Sequence, residues 1–399
     1  MSGGNEPQRS GASAAATAPR AGAAPDPGIG AIAGLRVLDL TRVVAGPLCA
    51  QTLADHGANV IKVESSIGDE SRRLGRRFVD GSAPYFHGLN RNKRSIVLDL
   101  STDADREQLL ALIADADVLI ENFIAGTMAR WGLGYEEHLA ARFPRLIYCT
   151  ISGYGNDGPL AGLPGYDAVA QAMSGLMSIN GDPASGPTRI GIPLVDLATG
   201  MNATIGILLA LAERARSGRG QRVETALFDN ALALLHPHAS EWLLAKHLNG
   251  LTGNRHPVSA PYEPFTAGGA PIFIGVVADR QFSLLCRTLG LDDMLADPRF
   301  QGLAARLENR DEMHDIIQAR IVDENADALC TRLMRAGVPA GAMHTVAEAL
   351  DHPQTAARGM LVSMGGYRGV GIPVKLARTP GSVRRAPPRP GADGPEIDW

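Results

Sequence analysis

The sequence predicts an α/β fold: a doubly wound parallel sheet followed by a second, smaller α+β domain. Short, near-continuous apolar runs alternate with helical stretches between about residues 35 and 226. That is the pattern of strands buried on both faces by helices, and right-handed crossovers follow from it. Past about residue 240 the character changes to a short strand followed by charged amphipathic helices.

Order begins near Leu35. Residues 35–40 read as a buried strand, 47–56 as a helix closed by Gly57, and 59–64 as a second strand. Residues 95–100, 118–123 and 146–151 are further strands, with helical character over 103–116 and 125–130 between them. The turn Thr41-Arg-Val-Val-Ala-Gly46-Pro47 lacks the GxGxxG spacing that seats a pyrophosphate on a helix N-terminus, which disfavours a dinucleotide enzyme. The longest helix is expected over 196–217, stopped by Gly218 at its C-terminal cap. Leu197, Met201, Ile205, Leu209 and Ala212 give it one apolar stripe. Gly200 and Gly206 cost this helix about 1 kcal/mol each relative to Ala, which implies close approach by another backbone or a ligand.

A strand over 221–226 and a helix over 229–236 follow. Beyond a loop at Gly253-Asn-Arg-His-Pro257, a strand over 272–276 and helices over 281–289, 308–321 and 326–336 make the small domain. A Pro-rich tail from Thr379 is expected on the surface. The resulting division is a disordered tail over 1–30, a large domain over 31–228, linker helices and the small domain over 229–338, and a C-terminal segment over 339–399 that returns to the large domain.

Of the 399 residues, 45% are hydrophobic and 20% charged, enough to bury a core in each of two or three domain-sized units. A net charge of −4 argues against a general nucleic-acid binder. Cys49, Cys149, Cys286 and Cys330 form no CxxC pair, so no disulfide framework or zinc site is signalled, and a reducing cytoplasm fits. His236, His238 and His256 have no carboxylate or cysteine at zinc spacing, so no metal is expected. No run approaches 18 consecutive apolar residues, so a membrane span is not expected.

Two groups of residues invite a chemical reading. Arg72, Arg73, Arg76, Arg77, Arg91, Lys93 and Arg94 crowd a short region holding one acid, Asp80, and form a landing site for a polyphosphate ligand or a solvated charged loop. Asp196 opens a helix and so reads as an N-cap, or as a carboxylate facing the cleft above a parallel sheet. Asp167, in Pro164-Gly-Tyr-Asp167, reads the same two ways, with Tyr166 beside it.

Several segments together carry a resemblance. They are Leu35-Arg-Val-Leu-Asp-Leu-Thr-Arg-Val-Val-Ala-Gly-Pro47, Gly57-Ala-Asn-Val-Ile-Lys-Val-Glu64, Asn92-Lys-Arg-Ser-Ile-Val-Leu-Asp99, Glu121-Asn-Phe123, Pro164-Gly-Tyr-Asp167 and Gly218-Arg-Gly-Gln221. In this order, between about residues 34 and 391, they resemble the class III CoA-transferases, a family that includes formyl-CoA transferase, carnitine CoA-transferase and α-methylacyl-CoA racemase.

The resemblance implies a Rossmann-like large domain that holds coenzyme A and a dimer of two interlocked ring-like subunits. It places the nucleophile on Asp196. CoA contacts fall on Val43, Ala45, Leu98, Asn122, Phe123 and Arg130, with the basic residues Arg72, Arg73, Arg91 and Lys93 for its phosphates. Tyr166, Asp167, Val44 and Arg42 fall beside the acyl group. Val44 replaces the glutamine of the oxalate-using enzyme, and the glycine run of that enzyme's small domain has no counterpart. Tyr166 replaces the histidine of the racemase branch.

Gly253-Asn-Arg-His-Pro257 with Ala260-Pro-Tyr262 is similar to members that use C4 to C6 dicarboxylates. The expectation is therefore a cytoplasmic, homodimeric transferase whose partners are an acyl-CoA and a small carboxylic acid. It would need no permanently bound cofactor, nucleic acid or membrane. An acyl-CoA racemase and a non-catalytic acyl-CoA-binding protein are the alternatives.

Overall fold

The computed structural model describes residue 1 and residues 30–76, 78–394 and 397–399. The expected N-terminal tail and Arg77 lie outside the described residues. Six strands build the large domain: β1 Arg36–Asp39, β2 Asn59–Glu64, β3 Lys93–Val97, β4 Val118–Glu121, β5 Ile147–Ser152 and β6 Arg222–Ala226. They lie in the order β3-β2-β1-β4-β5-β6, with every pair parallel. The doubly wound expectation holds, and the order reverses between β1 and β4, the point at which such sheets bind ligands.

Helices α1 Ala45–Asp55, α2 Asp103–Asp115, α3 Asp167–Met173, α4 Leu194–Ser217, α5 Leu227–Ala233 and α6 His238–Ala245 accompany the sheet. Successive strand residues face opposite sides. Val37, Val60, Val118 and Ile147 pack with Leu53 of α1 and Ala203 and Ile207 of α4. Leu38, Ile61, Leu119 and Tyr148 pack with Leu109 and Ile113 of α2. Burial on both faces is why these strands read as continuous apolar runs.

Helix α4 corrects the sequence reading in two ways. It starts two residues early, at Leu194, so Asp196 is its third residue and not its cap. Its expected inward stripe points outward: Met201, Ile205 and Leu209 are 57%, 52% and 66% exposed. The buried face is Val195, Thr199, Gly200, Ala203, Thr204, Ile207 and Ala210. Small residues won that face because α1 comes very close; a Cβ on Gly200 would sit 2.5 Å from the carbonyl oxygen of Ala45. The close approach implied by this glycine is therefore observed. By length and composition alone α4 is also apolar enough to cross a membrane, a consequence of carrying apolar side chains on both faces.

The small domain sets β7 Tyr262–Ala267, β8 Ala270–Gly275 and β9 Ala340–Ala342 in an antiparallel sheet ordered β9-β8-β7. Helices α7 Asp279–Leu289, α8 Arg310–Ile321 and α9 Ala326–Arg335 cover it through Phe282, Leu285, Ile317 and Leu329. The helix expected over 308–321 breaks at Asn309. The one expected over 125–130 shrinks to Thr127–Arg130, because Gly126 takes φ 80.

The C-terminal tail is a strap rather than a loose surface segment. Ser382 N–H donates to the Asp55 carbonyl at 2.9 Å, Asn92 N–H to the Arg385 carbonyl at 2.9 Å, and Trp399 Nε1 to the Leu112 carbonyl at 3.1 Å.

Candidate active site

A cleft of about 980 Å³, counted to its open mouth, lies at the C-terminal ends of β1, β4 and β5. Arg42, Val43, Val44 and Ala45 line it from the loop after β1, Asn122 and Phe123 from the end of β4, and Tyr166 and Asp196 from the opposite side. A second cavity of about 580 Å³ is lined by Leu98, Trp131, Arg42 and Phe123. The two share Arg42 and Phe123 as lining residues and so adjoin, with Asp196 lining the first part of this groove and Leu98 the second.

The loop after β1 is held from several sides. Asn122 binds the Arg42 peptide unit twice, accepting its N–H and donating to its carbonyl, both at 2.9 Å. Val43 sits at φ 71, a left-handed conformation that costs a β-branched residue about 1–3 kcal/mol. Its N–H donates to Asp69 Oδ1 at 3.1 Å, and Lys62 Nζ donates to the Thr41 carbonyl at 2.7 Å. A Cβ on Gly46 would collide with the Thr41 side chain, so glycine is required there. Helix α1 then opens with no side-chain cap. Among the described residues, the N–H groups of Ala45 and Gly46 have no acceptor.

Three members of the basic cluster, Arg72, Arg91 and Lys93, prove to be internal. Lys93 is fully buried and donates to Asp39 Oδ2 at 2.8 Å, the Pro47 carbonyl at 3.0 Å and Asn90 Oδ1 at 2.8 Å. Lys62, also fully buried, pairs with Asp69 at 3.0 Å. Arg72 binds both oxygens of Glu64, at 2.7 and 2.6 Å, and stacks on Phe86. Arg91 pairs with Asp55 at 2.7 Å.

These charges compensate one another. Burial alone would raise the Asp39 carboxyl, yet Lys62 and Lys93 bring it down to about 2. Burial pulls Lys93 down to about 8 despite Asp39. The expected phosphate patch at Arg72, Arg91 and Lys93 is thus corrected, because buried cations with satisfied counter-ions cannot reach a ligand. Arg73 is exposed but donates to the Ile67 carbonyl and lines neither cavity. Arg130 is likewise exposed, donates to Thr127 Oγ1 at 2.9 Å and lines neither cavity.

The acidic pair is the opposite case. Asp167 is 7% exposed and is the first residue of α3, so it does not cap that helix as the sequence suggests. Its Oδ2 accepts the N–H groups of Val195 at 2.8 Å and Asp196 at 3.2 Å. It therefore caps α4, and those N–H groups are unavailable to a substrate oxyanion. The Asp196 carboxylate accepts no hydrogen bond from the described residues. Burial first, and the neighbouring Asp167 charge second, push its carboxyl up to about 7. Tyr166 stands at the rim, 67% exposed.

Three contributors escaped the sequence reading. Glu70 lines the cleft and pairs with Arg42 at 2.9 Å, while Arg42 lies over the Phe123 ring. The Tyr85 phenol is raised by burial and then by the charges of Asp196 and Asp167. Gln171, fully buried, donates to Asp167 Oδ1 at 2.6 Å. Its spacing of four residues from Asp167 on a helix was the available signal.

A half-buried, unbonded carboxylate lining an open cleft is suited to nucleophilic or general-base work. Residues 32–394 match the family described as CoA-transferase family III. An acetyl-CoA:oxalate CoA-transferase from Acetobacter aceti is 41% identical over 346 residues, spanning 86% of this chain and 88% of that protein. A succinate–glutarate CoA-transferase from Agrobacterium fabrum is 38% identical over 372 residues, spanning 90% of this chain and 93% of that one. Among solved structures, a CAIB/BAIF family protein from Brucella suis superposes with a TM-score of 0.84 at 39% identity, covering 92% of this chain and 98% of that one.

Proposed function

The chain belongs to CoA-transferase family III, and from that premise we propose that it moves coenzyme A from succinyl-CoA or a similar thioester to a C4–C6 dicarboxylate, with Asp196 as the covalent nucleophile. One observation carries the residue assignment: Asp196 presents an unbonded carboxylate to the groove, with its pKa pushed up to about 7. The substrate class draws on the relative from Agrobacterium fabrum, which by its name acts on succinate and glutarate. The relative from Acetobacter aceti by its name acts on oxalate, so that C2 diacid is the competing acceptor the panel below distinguishes.

The Asp196 carboxylate attacks the thioester carbonyl, and the tetrahedral adduct expels CoA thiolate to leave a mixed anhydride. The thiolate then attacks the aspartyl carbonyl and expels the donor as a free carboxylate, leaving an aspartyl-CoA thioester. The acceptor carboxylate attacks that thioester, and the same two steps run in reverse, returning acyl-CoA and free Asp196. Atoms balance without a resident cofactor. The partly dehydrated carboxylate is a better nucleophile than one in water, and the groove holds the thiolate beside the anhydride. Donors for the oxyanions are the uncommitted N–H groups of Ala45 and Gly46, since Asp167 occupies those of α4.

Leu98 and Phe123 fit the CoA end of the groove, and Arg42 the anionic oxygens of CoA or the acceptor. Arg255, an alternative partner for a remote carboxylate, is instead paired with Glu263 at 2.8 Å and Asp311 at 2.6 Å. A homodimer belongs to the same proposal. The exposed apolar side chains of α4, and Trp242, Leu243 and Leu244 on α6, support a second copy as their cover. A cytoplasmic site of action is part of it too, supported by four buried free thiols.

The test is a panel of C2 to C6 dicarboxylates and matched monocarboxylates, with succinyl-CoA as donor. Transfer to C4–C6 diacids is expected. Transfer to none of them, or deuterium exchange at the acyl α-carbon without transfer, would contradict the proposal.

A further inference from the structure

Gln171 is fully buried, polar and remote from the groove lining, yet both ends of its amide are engaged. Its Nε2 donates to Asp167 Oδ1 at 2.6 Å, and its Oε1 accepts the Ile190 N–H at 3.0 Å. Asp167 in turn accepts the N–H groups of Val195 and Asp196. A single chain of hydrogen bonds therefore runs from Ile190, through Gln171 and Asp167, to the peptide group of Asp196 itself. It closes the segment 190–196 on both sides of Pro193, a residue that has no N–H with which to anchor the entry to α4.

We propose that Asp167 and Gln171 are positioning residues for the transfer reaction, acting together to fix the first turn of α4 and so the place and orientation of the Asp196 carboxylate. The inference rests on Asp196 being the nucleophile. It also reassigns Asp167 from substrate contact to support of the nucleophile's own backbone. A misplacement of about 1 Å at a reacting carboxylate costs roughly a hundredfold in rate, so a buried pair with no substrate contact can govern turnover. The pair has a second consequence, because the Asp167 charge acts on Asp196, and both charges act on the Tyr85 phenol.

Donor and acceptor logic supplies the test. In Asp167→Asn the side-chain oxygen still caps α4, but its amide nitrogen faces Gln171 Nε2, donor against donor. In Gln171→Glu a carboxylate faces the Asp167 carboxylate. Combined, Asp167→Asn/Gln171→Glu restores every hydrogen bond: the new amide at position 167 donates to the new carboxylate at position 171, which still accepts from Ile190. Each single variant is expected to lower kcat about tenfold or more, with KM for acyl-CoA within about twofold of wild type. The double variant recovers most of kcat, which is a strongly non-additive cycle.

The acid limb of the double variant's pH–rate profile moves to lower pH, because the negative charge now lies one side chain further from Asp196. Thermal unfolding of all three variants confirms that each is folded. The inference is overturned if folded single variants keep near-wild-type kcat, or if the double is no faster than the slower single. Asp196→Asn separates this from the parent reading: if that variant retains turnover, the nucleophile assignment fails, whatever the Asp167 variants do.

Discussion

The basic region between residues 72 and 94 and the acidic pair Asp167–Asp196 show opposite outcomes of burying charge. Lys93 lies in the interior with an acid, a carbonyl and an amide around its ammonium group. Arg72 has both carboxylate oxygens of Glu64 on its guanidinium. Those charges are consumed in holding β1, β2 and β3 to the loop that carries Val43. Asp196 is only partly buried, has no donor of its own and has a second carboxylate beside it. Reactivity follows from that imbalance: a group whose charge is already compensated has little to gain from substrate, and one left uncompensated does.

The difference can be broken from either side. The largest effect is expected at the uncompensated group. Asp196→Asn removes the proposed nucleophile while keeping a similar shape, so transfer should fall by several orders of magnitude, about the loss seen when a covalent nucleophile is deleted, with the fold retained by circular dichroism. In the wild type, kcat/KM should fall about tenfold per pH unit below about 7, since in the proposed mechanism only ionised Asp196 attacks. The Glu121 carboxyl, also pushed up to about 7 by burial, is the other candidate for that limb. Glu121→Gln should leave the limb in place.

Next in size is the compensated region. Lys93→Met leaves the buried Asp39 carboxylate with the Thr41 donors and, as its remaining cation among the described residues, Lys62 at 3.9 Å, and should cost about 3 kcal/mol of unfolding free energy by denaturant titration. Smaller and of opposite sign is the effect of Asp196→Asn on stability. The folded-state pKa is raised above its ordinary value, so the folded protein binds this proton more tightly than the unfolded chain does. Ionisation therefore disfavours the fold progressively between pH 3.8 and about 7. At pH 8 the Asn variant should be more stable by on the order of 1–2 kcal/mol, and at pH 3 the gain should vanish. The smallest effect is that of Arg130→Ala: Arg130 lines neither cavity, and its loss is expected to leave CoA affinity within about twofold by calorimetry.

The parallel sheet was legible because strands buried on both faces leave unbroken apolar runs such as Val60-Ile-Lys-Val. Even there, the lysine in the run was the sign of an internal ion pair. The position of Asp196 at the groove was legible only through the resemblance, since an Asp near a helix start has an ordinary capping explanation. The outward face of α4 was misread because periodicity reports an apolar stripe without saying what covers it. Gly200 and Ala203 mark the inner face, yet they look weaker than Met201 and Ile205 by hydrophobicity alone. The role of Asp167 lay beyond local reading, because the N–H groups it caps are 28 and 29 residues away. Long-range pairing of this kind leaves no periodic trace.

The most direct measurement is mass spectrometry of the enzyme mixed with succinyl-CoA and quenched with hydroxylamine, which converts an acyl-activated aspartate to its hydroxamate. The account predicts the modification on Asp196, and its loss when CoA thioester is omitted. An unmodified Asp196 in enzyme that is turning over, or a hydroxamate at another carboxylate, would contradict it.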